Sequence, residues 1–448
     1  MQVLSFTDEG LGHTSFLVDL GDGSALVVDP ARLPDREVAA ANRSGLRVAY
    51  SADTHTHADY VSGGPDLAAR GAQFLAPAEA ALETHHRGLR PDDVVDLAPG
   101  VTMRAIPTPG HTPDHLAYLL EQHDEPVALF SGGSLMVGGV GRTDLLGDDL
   151  REELARKLYR SLQERILVLP DDLAVCPTHG AGSFCAAPNT GERSTTIGRE
   201  KATNSMLQVR DEDEFVERLI ADAGSFPTYF RRLPELNRRG PRVLDTLPSL
   251  PRLSRDDAKR RIEAGAVVID ARAVTRFAAG HVPGAISIAL RPVFASWLGW
   301  LVSPDAELVF VLDPEQDRAD LVRQCLTIGH ERIAGEIDGG MDGWRNAGLP
   351  IDTIEVVDPA SMKAPVLDIR QAAEYRDGHV PGARHLELGA LAEASLPSGP
   401  VTVMCGHGER AATGASVLRR RGTRDVAVFL GGPDDWARHH QRALATRP

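Results

Sequence analysis

The stretch V-T-V-M-C-G-H-G-E-R, Val401 to Arg410, sets a cysteine between a strand and a helix. Its first four residues are an apolar run, and Ala411 to Arg421 has the alanine and arginine content of a helix. Two glycines in the turn let several backbone N–H groups point at one anion. The positive end of the helix dipole favours a thiolate over a thiol there. The stretch therefore predicts an α/β domain with a reactive sulfur, Cys405, at a strand end.

This turn resembles the active loop of rhodanese sulfurtransferases, C-x-x-G-x-R, with Arg410 in the last position. In that family the cysteine stores a second sulfur atom as a persulfide. The resemblance implies that Cys405 is the nucleophile and that Arg410 anchors the loop or the sulfur donor. The persulfide cradle would comprise the residues between them: Gly406, His407, Gly408 and Glu409. A buried structural cysteine is the other interpretation of this residue.

An internal repeat surrounds the turn. The sequences I-D-A-R at 269–272 and G-H-V-P-G-A at 280–285 return as L-D-I-R at 367–370 and G-H-V-P-G-A at 378–383. Both copies resemble rhodanese domains, which we place at 252–352 and 356–448. Each copy has a histidine at this position, His281 in the first and His379 in the second, whether or not it has a nucleophile. We therefore expect both to be structural turn residues.

The first copy lacks the nucleophile. Alignment of the two copies puts Asp313 at the position of Cys405, and an aspartate cannot carry a transferable sulfur. Pro314-Glu315-Gln316 supplies neither the glycine nor the cation of the working loop, and Cys325 lies beyond the turn. We therefore expect the first copy to be a scaffold or docking domain.

The N-terminal region carries histidines at the predicted carboxyl ends of successive strands, where α/β folds bind ligands. These strand ends read T-H-T-H-A-D-Y at 54–60, P-G-H-T with His111, S-G-G-S at 131–134, and P-T-H-G with His179. A proline-rich linker follows near 247–251, so we place the first domain at 1–250.

This series resembles the metallo-β-lactamase fold, and within it the persulfide dioxygenases that are fused to rhodanese domains. The resemblance implies an αββα sandwich that binds one iron(II) through two histidines and an aspartate, with zinc as the alternative metal. His55 and His111 match the two histidines. The aspartate position falls on Gly133, and Tyr60 replaces the last histidine of the family's H-x-H-x-D-H motif.

Loss of the carboxylate predicts a depleted metal site and makes a binuclear zinc hydrolase improbable. Several remaining groups offer weaker ligands or hydrogen bonds to the ligands: His57, Asp59, Asp144 and His179.

Composition excludes other classes of protein. The net charge of −15 argues against a nucleic-acid binder, and no apolar run approaches the ~18 residues of a membrane span. The N-terminus lacks the pattern of a signal peptide, so we expect a cytoplasmic protein. Its length of 448 residues indicates about three domains. The sequence leaves homo-oligomerisation open.

The leading hypothesis is sulfur transfer through a Cys405 persulfide, from a small persulfide or thiosulfate donor to a thiol or sulfite acceptor. A second hypothesis is iron-dependent oxidation of a persulfide to sulfite in the N-terminal domain. A third makes the first two domains a non-catalytic docking platform.

Overall fold

The computed structural model describes residues 1–185, 192–362, 365–395 and 399–446. The chain divides into two compact units. The first contains residues 1–247 together with 326–329, and the second contains residues 248–325 and 330–448. No helix in the described ranges is long and apolar enough to cross a membrane.

The first unit begins with a sheet that runs in sequence order. Its strands are β1 (Gln2–Asp8), β2 (His13–Asp19), β3 (Ser24–Val28), β4 (Arg47–Ala52), β5 (Gln73–Pro77) and β6 (Arg87–Leu89). β1 to β3 pair antiparallel, and β3 to β6 pair parallel. Helices α1 (Asp35–Arg43) and α2 (Gly64–Ala69) pack on one face, where Leu17 and Val27 meet Ala41 and Leu67. This sheet brings the ends of β3 and β4 to one edge.

The second sheet of this unit has the order β14-β13-β10-β9-β8-β7. Its strands are β7 (Val94–Ala98), β8 (Val101–Pro107), β9 (Leu116–Gln122), β10 (Glu125–Gly132), β13 (Ala174–Pro177) and β14 (Thr195–Thr196). A small ribbon, β11 (Leu135–Met136) and β12 (Gly139–Val140), follows β10. The helices are α3 (Arg151–Ser161), α4 (Ile197–Thr203), α5 (Glu212–Ala221) and α6 (Leu233–Arg239).

The two sheets bury a common core. Phe16 and Val28 of the first sheet pack with Met103, Tyr118 and Phe130 of the second, all at most 2% exposed. Burial of each large side chain contributes about 1.5–3 kcal/mol. A separate apolar cluster joins the outer face of the second sheet to α3, α4 and α5. The predicted αββα sandwich is confirmed.

The second unit contains two parallel sheets with one topology, β15-β19-β18-β16-β17 and β20-β24-β23-β21-β22. The first sheet comprises β15 (Arg252–Leu253), β16 (Val267–Asp270), β17 (Ile286–Ser287), β18 (Leu308–Val311) and β19 (Ile333–Ile337). The second comprises β20 (Glu355–Val357), β21 (Val366–Asp368), β22 (Arg384–His385), β23 (Val401–Met404) and β24 (Val426–Phe429). Their identical order confirms the two rhodanese-type α/β folds predicted from the repeat.

Helices flank each sheet. Those of the first copy are α7 (Arg255–Glu263), α8 (Val274–Ala279), α9 (Phe294–Leu301), α10 (Arg318–Thr327) and α11 (Gly340–Asn346). Those of the second copy are α12 (Ala372–Asp377), α13 (Glu409–Arg420) and α14 (Pro433–His440).

The repeated histidines stabilise equivalent turns. His281 Nδ1 lies 2.9 Å from the Phe277 carbonyl oxygen, and His379 Nδ1 lies 2.9 Å from that of Tyr375. Both imidazoles are buried and stack on the ring four residues earlier. Their contacts confirm the structural role predicted for them.

Candidate functional site

Cys405 lies directly between β23 and α13, and its sulfur receives a backbone hydrogen bond. The N–H of Gly408 donates to Sγ over 3.1 Å. Gly408 has φ +89°, and a Cβ atom there would lie 2.6 Å from the Cα of Leu430. Glycine therefore satisfies both the left-handed backbone and the close approach of another chain segment. The thiol is 2% exposed, so the loop encloses it.

Arg410 is fixed beside this loop by a residue that the sequence analysis missed. Its guanidinium donates two hydrogen bonds to the Glu374 carboxylate, of 2.6 and 2.7 Å. Burial by itself would lower the pKa of Arg410, but Glu374 and the neighbouring Cys405 raise it. Burial would likewise raise the pKa of Glu374, and Arg410 lowers it instead. Arg410 therefore stays charged near the sulfur.

The other cradle residues lie around the sulfur in different environments. His407 is exposed, and Gly406 is partly exposed. Glu409 pairs with Arg291 of the first copy over 2.7 Å. That ion pair offsets the negative charge that Glu409 would otherwise bring to an anion-binding loop.

The corresponding loop of the first copy is closed by its own side chains. Asp313 lies two residues after the end of β18, whereas Cys405 follows β23 directly. The equivalent pairings Asp270–Val311 and Asp368–Met404 place Leu312, not Asp313, at the position of Cys405, so the sequence alignment is shifted by one residue. The Asp313 carboxylate pairs with Arg276 over 2.7 Å. Gln316 bridges the loop, since its Oε1 accepts the Asp313 N–H and its Nε2 donates to the Ala271 carbonyl. These internal hydrogen bonds occupy the Asp313 N–H, a backbone donor of the kind that an anion would need.

A cation follows this loop in the first copy. Arg318 lies two residues beyond the segment Pro314-Glu315-Gln316. It contacts the Glu336 carboxylate and the carbonyl oxygen of Asp313. A cation that binds the loop's own carbonyl groups is unavailable to a substrate. Burial raises the pKa of the Cys325 thiol, so that residue is no substitute nucleophile.

In the first unit, strand ends from both sheets bring histidines together. His55 follows β4, His111 follows β8, and His179 follows β13. One ring nitrogen from each lies within 4.8 Å of the others, and the three side chains are buried. These three residues form a group able to hold a metal ion, which we call the three-histidine cluster. Geometry thus places His179, predicted as a weaker ligand, beside the two leading candidates.

Gly133 lies against this cluster, and its neighbours leave no room for an aspartate side chain at this position. A Cβ atom at Gly133 would lie 2.2 Å from Cδ2 of His111. The Gly133 N–H donates to Nε2 of His115 over 2.9 Å. The imidazole of His111 therefore occupies the volume that an aspartate side chain would need. The residues present do not fit an iron site made of two histidines and a carboxylate at this position.

His57 and Asp59 lie beside the cluster, and each contacts another ionisable residue. His57 Nε2 is 3.2 Å from Oδ1 of Asp29 and 3.1 Å from the Tyr60 hydroxyl. Burial would lower the pKa of His57, but Asp29 raises it to about 9. Burial would raise the pKa of Asp59, but His179 lowers it to about 2. These two groups also belong to metal-capable sets, His57 with Asp59 and His179, and His57 with Asp29 and Asp53.

The leading metal-ligand candidates are neutral. Burial lowers the pKa of His55 well below its usual value and that of His111 to about 3. Asp144 makes two hydrogen bonds to Arg142, of 2.6 and 2.8 Å, and belongs to none of the metal-capable groups found among the described residues. The Asp144 carboxylate therefore pairs with Arg142 and not with the histidines.

Sequence reasoning missed two buried residues of this region, Asp29 and His115. Asp29 accepts hydrogen bonds from the Thr54 N–H and hydroxyl, of 2.7 and 2.8 Å. His115 contacts Thr108 through Nδ1 and Gly133 through Nε2. Asp29 ends the apolar run A-L-V-V-D, and that strand-end position was the signal available in the sequence.

Comparison with known proteins agrees with both halves of this description. The rhodanese-like domain family matches residues 254–347 and 354–439. A hydroxyacylglutathione hydrolase of Synechococcus sp. is 33% identical over 228 residues, covering 43% of this chain and 86% of the relative. The human mitochondrial persulfide dioxygenase ETHE1 is 27% identical over 210 residues, covering 46% of this chain and 74% of the relative. The chain is therefore a fusion of a metallo-β-lactamase-fold domain, similar to hydroxyacylglutathione hydrolases and persulfide dioxygenases, with two rhodanese-like domains.

A solved structure supports the fold of this fusion protein. The crystal structure of a metallo-β-lactamase from Staphylococcus aureus subsp. aureus COL superposes with a TM-score of 0.66 and 26% sequence identity. It covers 75% of this chain and 98% of the other. Rhodanese-like domains and persulfide dioxygenase relatives together connect this fusion protein with sulfur metabolism.

Proposed function

We propose that this fusion protein is a sulfurtransferase that carries sulfane sulfur as a persulfide on Cys405. The observation that carries the proposal is the hydrogen bond from the Gly408 N–H to Sγ, at the start of α13. A backbone donor and a helix N-terminus stabilise negative charge on sulfur, and Arg410 adds a fixed cation nearby. This arrangement places a hydrogen-bond donor and a cation around a sulfur that carries negative charge when it leaves in sulfur transfer.

The reaction consists of two displacements. In the first, Sγ attacks the outer sulfur of the donor, the Sγ–S bond forms, and the donor's S–S bond breaks. The donor leaves as sulfite or as a thiolate, with the electron pair of the broken bond. In the second, a nucleophilic thiol or sulfite attacks the outer sulfur of the persulfide, and Sγ leaves as a thiolate. Sulfur moves with no net redox change, so no external oxidant is needed.

The burial of Cys405 supports small donors. At 2% exposure, the sulfur is reached most easily by a narrow terminal sulfur atom, as in thiosulfate or a low-molecular-weight persulfide. The cradle is narrow because Gly408 and Gly432 approach neighbouring backbone closely: a Cβ at Gly432 would lie 2.5 Å from the Gly406 carbonyl oxygen.

The test is sulfur loading of full-length protein, followed by mass spectrometry of the Cys405 peptide. We expect thiosulfate to add one sulfur atom to the wild-type peptide and none after Cys405→Ala. The control, Cys325→Ala, removes another buried cysteine of the same unit and should load normally. Sulfur transfer that persists in a folded Cys405→Ala protein contradicts the proposal.

A second candidate function is oxidation of a persulfide in the first unit. Similarity to human persulfide dioxygenase and the three-histidine cluster favour it, whereas the missing carboxylate at Gly133 opposes it. Dioxygen uptake with a low-molecular-weight persulfide, measured on Cys405→Ala protein, separates this activity from sulfur transfer. Uptake that requires His55 would establish it, and its absence from metal-loaded protein would remove it.

A further inference from the structure

The three-histidine cluster brings together one ring nitrogen from each residue. In His55, Nδ1 lies 2.9 Å from the Thr54 hydroxyl oxygen. That hydroxyl donates its single proton to Asp29, 2.8 Å away. It therefore accepts from His55, so the proton of the neutral imidazole is on Nδ1 and the lone pair is on Nε2.

The same reasoning applies to the other two rings. His111 Nδ1 lies 2.8 Å from the backbone carbonyl of Arg142, which can only accept. His179 Nδ1 lies 3.2 Å from Oδ2 of Asp59 and makes no well-aligned hydrogen bond there, but a carboxylate has no proton to give. In both rings Nδ1 faces an acceptor, so Nε2 is the nitrogen left to act as a ligand.

These nitrogens converge in a buried space. The Nε2 atoms of His55 and His179 lie 3.3 Å apart, within hydrogen-bond distance of each other. All three side chains are at most 2% exposed. Because Nδ1 of each ring faces an acceptor, a divalent cation among the Nε2 atoms would give each of them a partner.

We infer that His55, His111 and His179 bind one borderline divalent cation of the Zn²⁺ class through their Nε2 atoms. Three imidazoles with an open fourth position are a well-known ligand set for such ions. His179 supplies the third ligand in place of the carboxylate that Gly133 lacks. The inference does not rest on sulfur transfer at Cys405.

Surrounding residues orient the ligands. Asp29 acts on His55 through the Thr54 hydroxyl, the Arg142 carbonyl holds His111, and Asp59 faces His179. Metal-binding histidines usually make such a contact through the nitrogen that does not bind the metal. The geometry also explains why the family's usual ligand position is unused: the His111 ring already fills it.

The experiment measures zinc bound to full-length protein after chelator treatment and equilibrium dialysis. We expect one zinc per chain in the wild type and in the control His85→Ala, which changes an exposed histidine of the same unit. His179→Gln should weaken binding at least about 100-fold, because even residues that only orient ligands are worth about 10–100-fold. His111→Gln should do the same.

Thermal unfolding of each variant shows whether a loss of zinc binding is due to a loss of structure. Zinc should raise the Tm of the wild type and of His85→Ala, and should leave the Tm of a folded His179→Gln protein unchanged. A wild type that binds no zinc, or a His179→Gln protein that binds it with wild-type affinity, would overturn the inference.

Gly133→Asp discriminates between the two ligand sets. Because its Cβ would collide with the His111 ring, we expect zinc affinity to fall by at least about 10-fold. If Gly133→Asp instead raises iron or zinc content, and does so equally in a His179→Gln background, the ligands are two histidines and a carboxylate, and His179 is not one of them.

Discussion

Gly408 shows at the scale of one residue how the loop holds its sulfur. Its N–H donates to Cys405, its φ is +89°, and Leu430 leaves no room for a Cβ atom. Glu374 has the complementary role of fixing the nearest cation, Arg410, from another element. The environment of Cys405 therefore depends on one residue of the loop, Gly408, and on one from another element, Glu374.

Gly408→Ala should cost more stability than the same change at Gly422. Gly422 also has a left-handed backbone, φ +99°, but has open space around it. We expect about 1–2 kcal/mol for backbone strain at Gly422, and about 1–3 kcal/mol more at Gly408 for the collision with Leu430. Urea unfolding measures both. Equal losses in the two variants would show that the collision is relieved.

The ion pair between Glu374 and Arg410 should make the free energy of unfolding depend on pH in the acidic range. Arg410 holds the pKa of Glu374 below its usual value, so the pair stabilises the fold above the unfolded carboxyl pKa of about 4.3. That contribution is lost as pH falls through the lower folded pKa. We expect wild type to exceed Glu374→Gln in unfolding free energy at pH 7, with the difference shrinking towards pH 3.

Unfolding by urea at a series of pH values checks this dependence. Glu393→Gln, an exposed glutamate in the same copy, is the control and should follow the wild type. A constant difference between wild type and Glu374→Gln across the range would contradict the assignment.

At the scale of elements, α13 connects the two rhodanese copies. It begins at the active loop and packs on β17 of the first copy, where the Ser287 N–H donates to the Ser416 hydroxyl over 3.1 Å. Arg420 donates to the Gly284 carbonyl, and Arg291 pairs with Glu409. The copy without a nucleophile thus contacts the helix that carries the nucleophile's loop.

Arg291→Ala should slow persulfide formation on Cys405. Without its partner, Glu409 places an uncompensated negative charge beside the cradle and repels the thiosulfate anion. The pair is partly exposed, so we expect up to about 1 kcal/mol, or up to about five-fold in the loading rate. Rapid-mixing measurements with thiosulfate give the rate. Arg332→Ala, an exposed arginine of the same copy, should have no effect.

The double variant Arg291→Ala/Glu409→Gln separates charge from packing. Removal of both charges should restore most of the loading rate. A double variant as slow as Arg291→Ala alone would assign the effect to lost packing against α13.

At the scale of the whole molecule, the two candidate sites lie in two different compact units. The contacts described here for the Cys405 loop come from residues of the second unit, and the three-histidine cluster is built from residues of the first. The first copy's loop, closed by Gln316 and Arg318, adds no third reactive group among the described residues.

Chelation should therefore leave sulfur transfer intact. We expect protein dialysed against a chelator to lose its zinc and to retain its rate of transfer from thiosulfate to a thiol. The same preparation, reloaded with zinc, is the control. A rate that falls on chelation and recovers on reloading would show that the two sites are coupled.

The sequence by itself determined the features that lie close together along the chain or occur twice. The strand, the glycine turn and the start of the helix around Cys405 lie within residues 401–410, and the repeat identified both copies and the absence of a cysteine from the first copy's loop. Gly133 revealed the missing carboxylate because a glycine has no ligand atom in any conformation. Local residue type was sufficient for each of these inferences.

Only the tertiary structure decided which distant side chains meet. Glu374 reaches Arg410 across 36 residues, and His179 faces His55 across 124. Such pairs depend on which strand ends are neighbours and on the direction of each side chain, and neither is encoded in local spacing. For the same reason the sequence listed His179 among the weaker ligands, whereas the packed strand ends aim its nitrogen at the other two histidines.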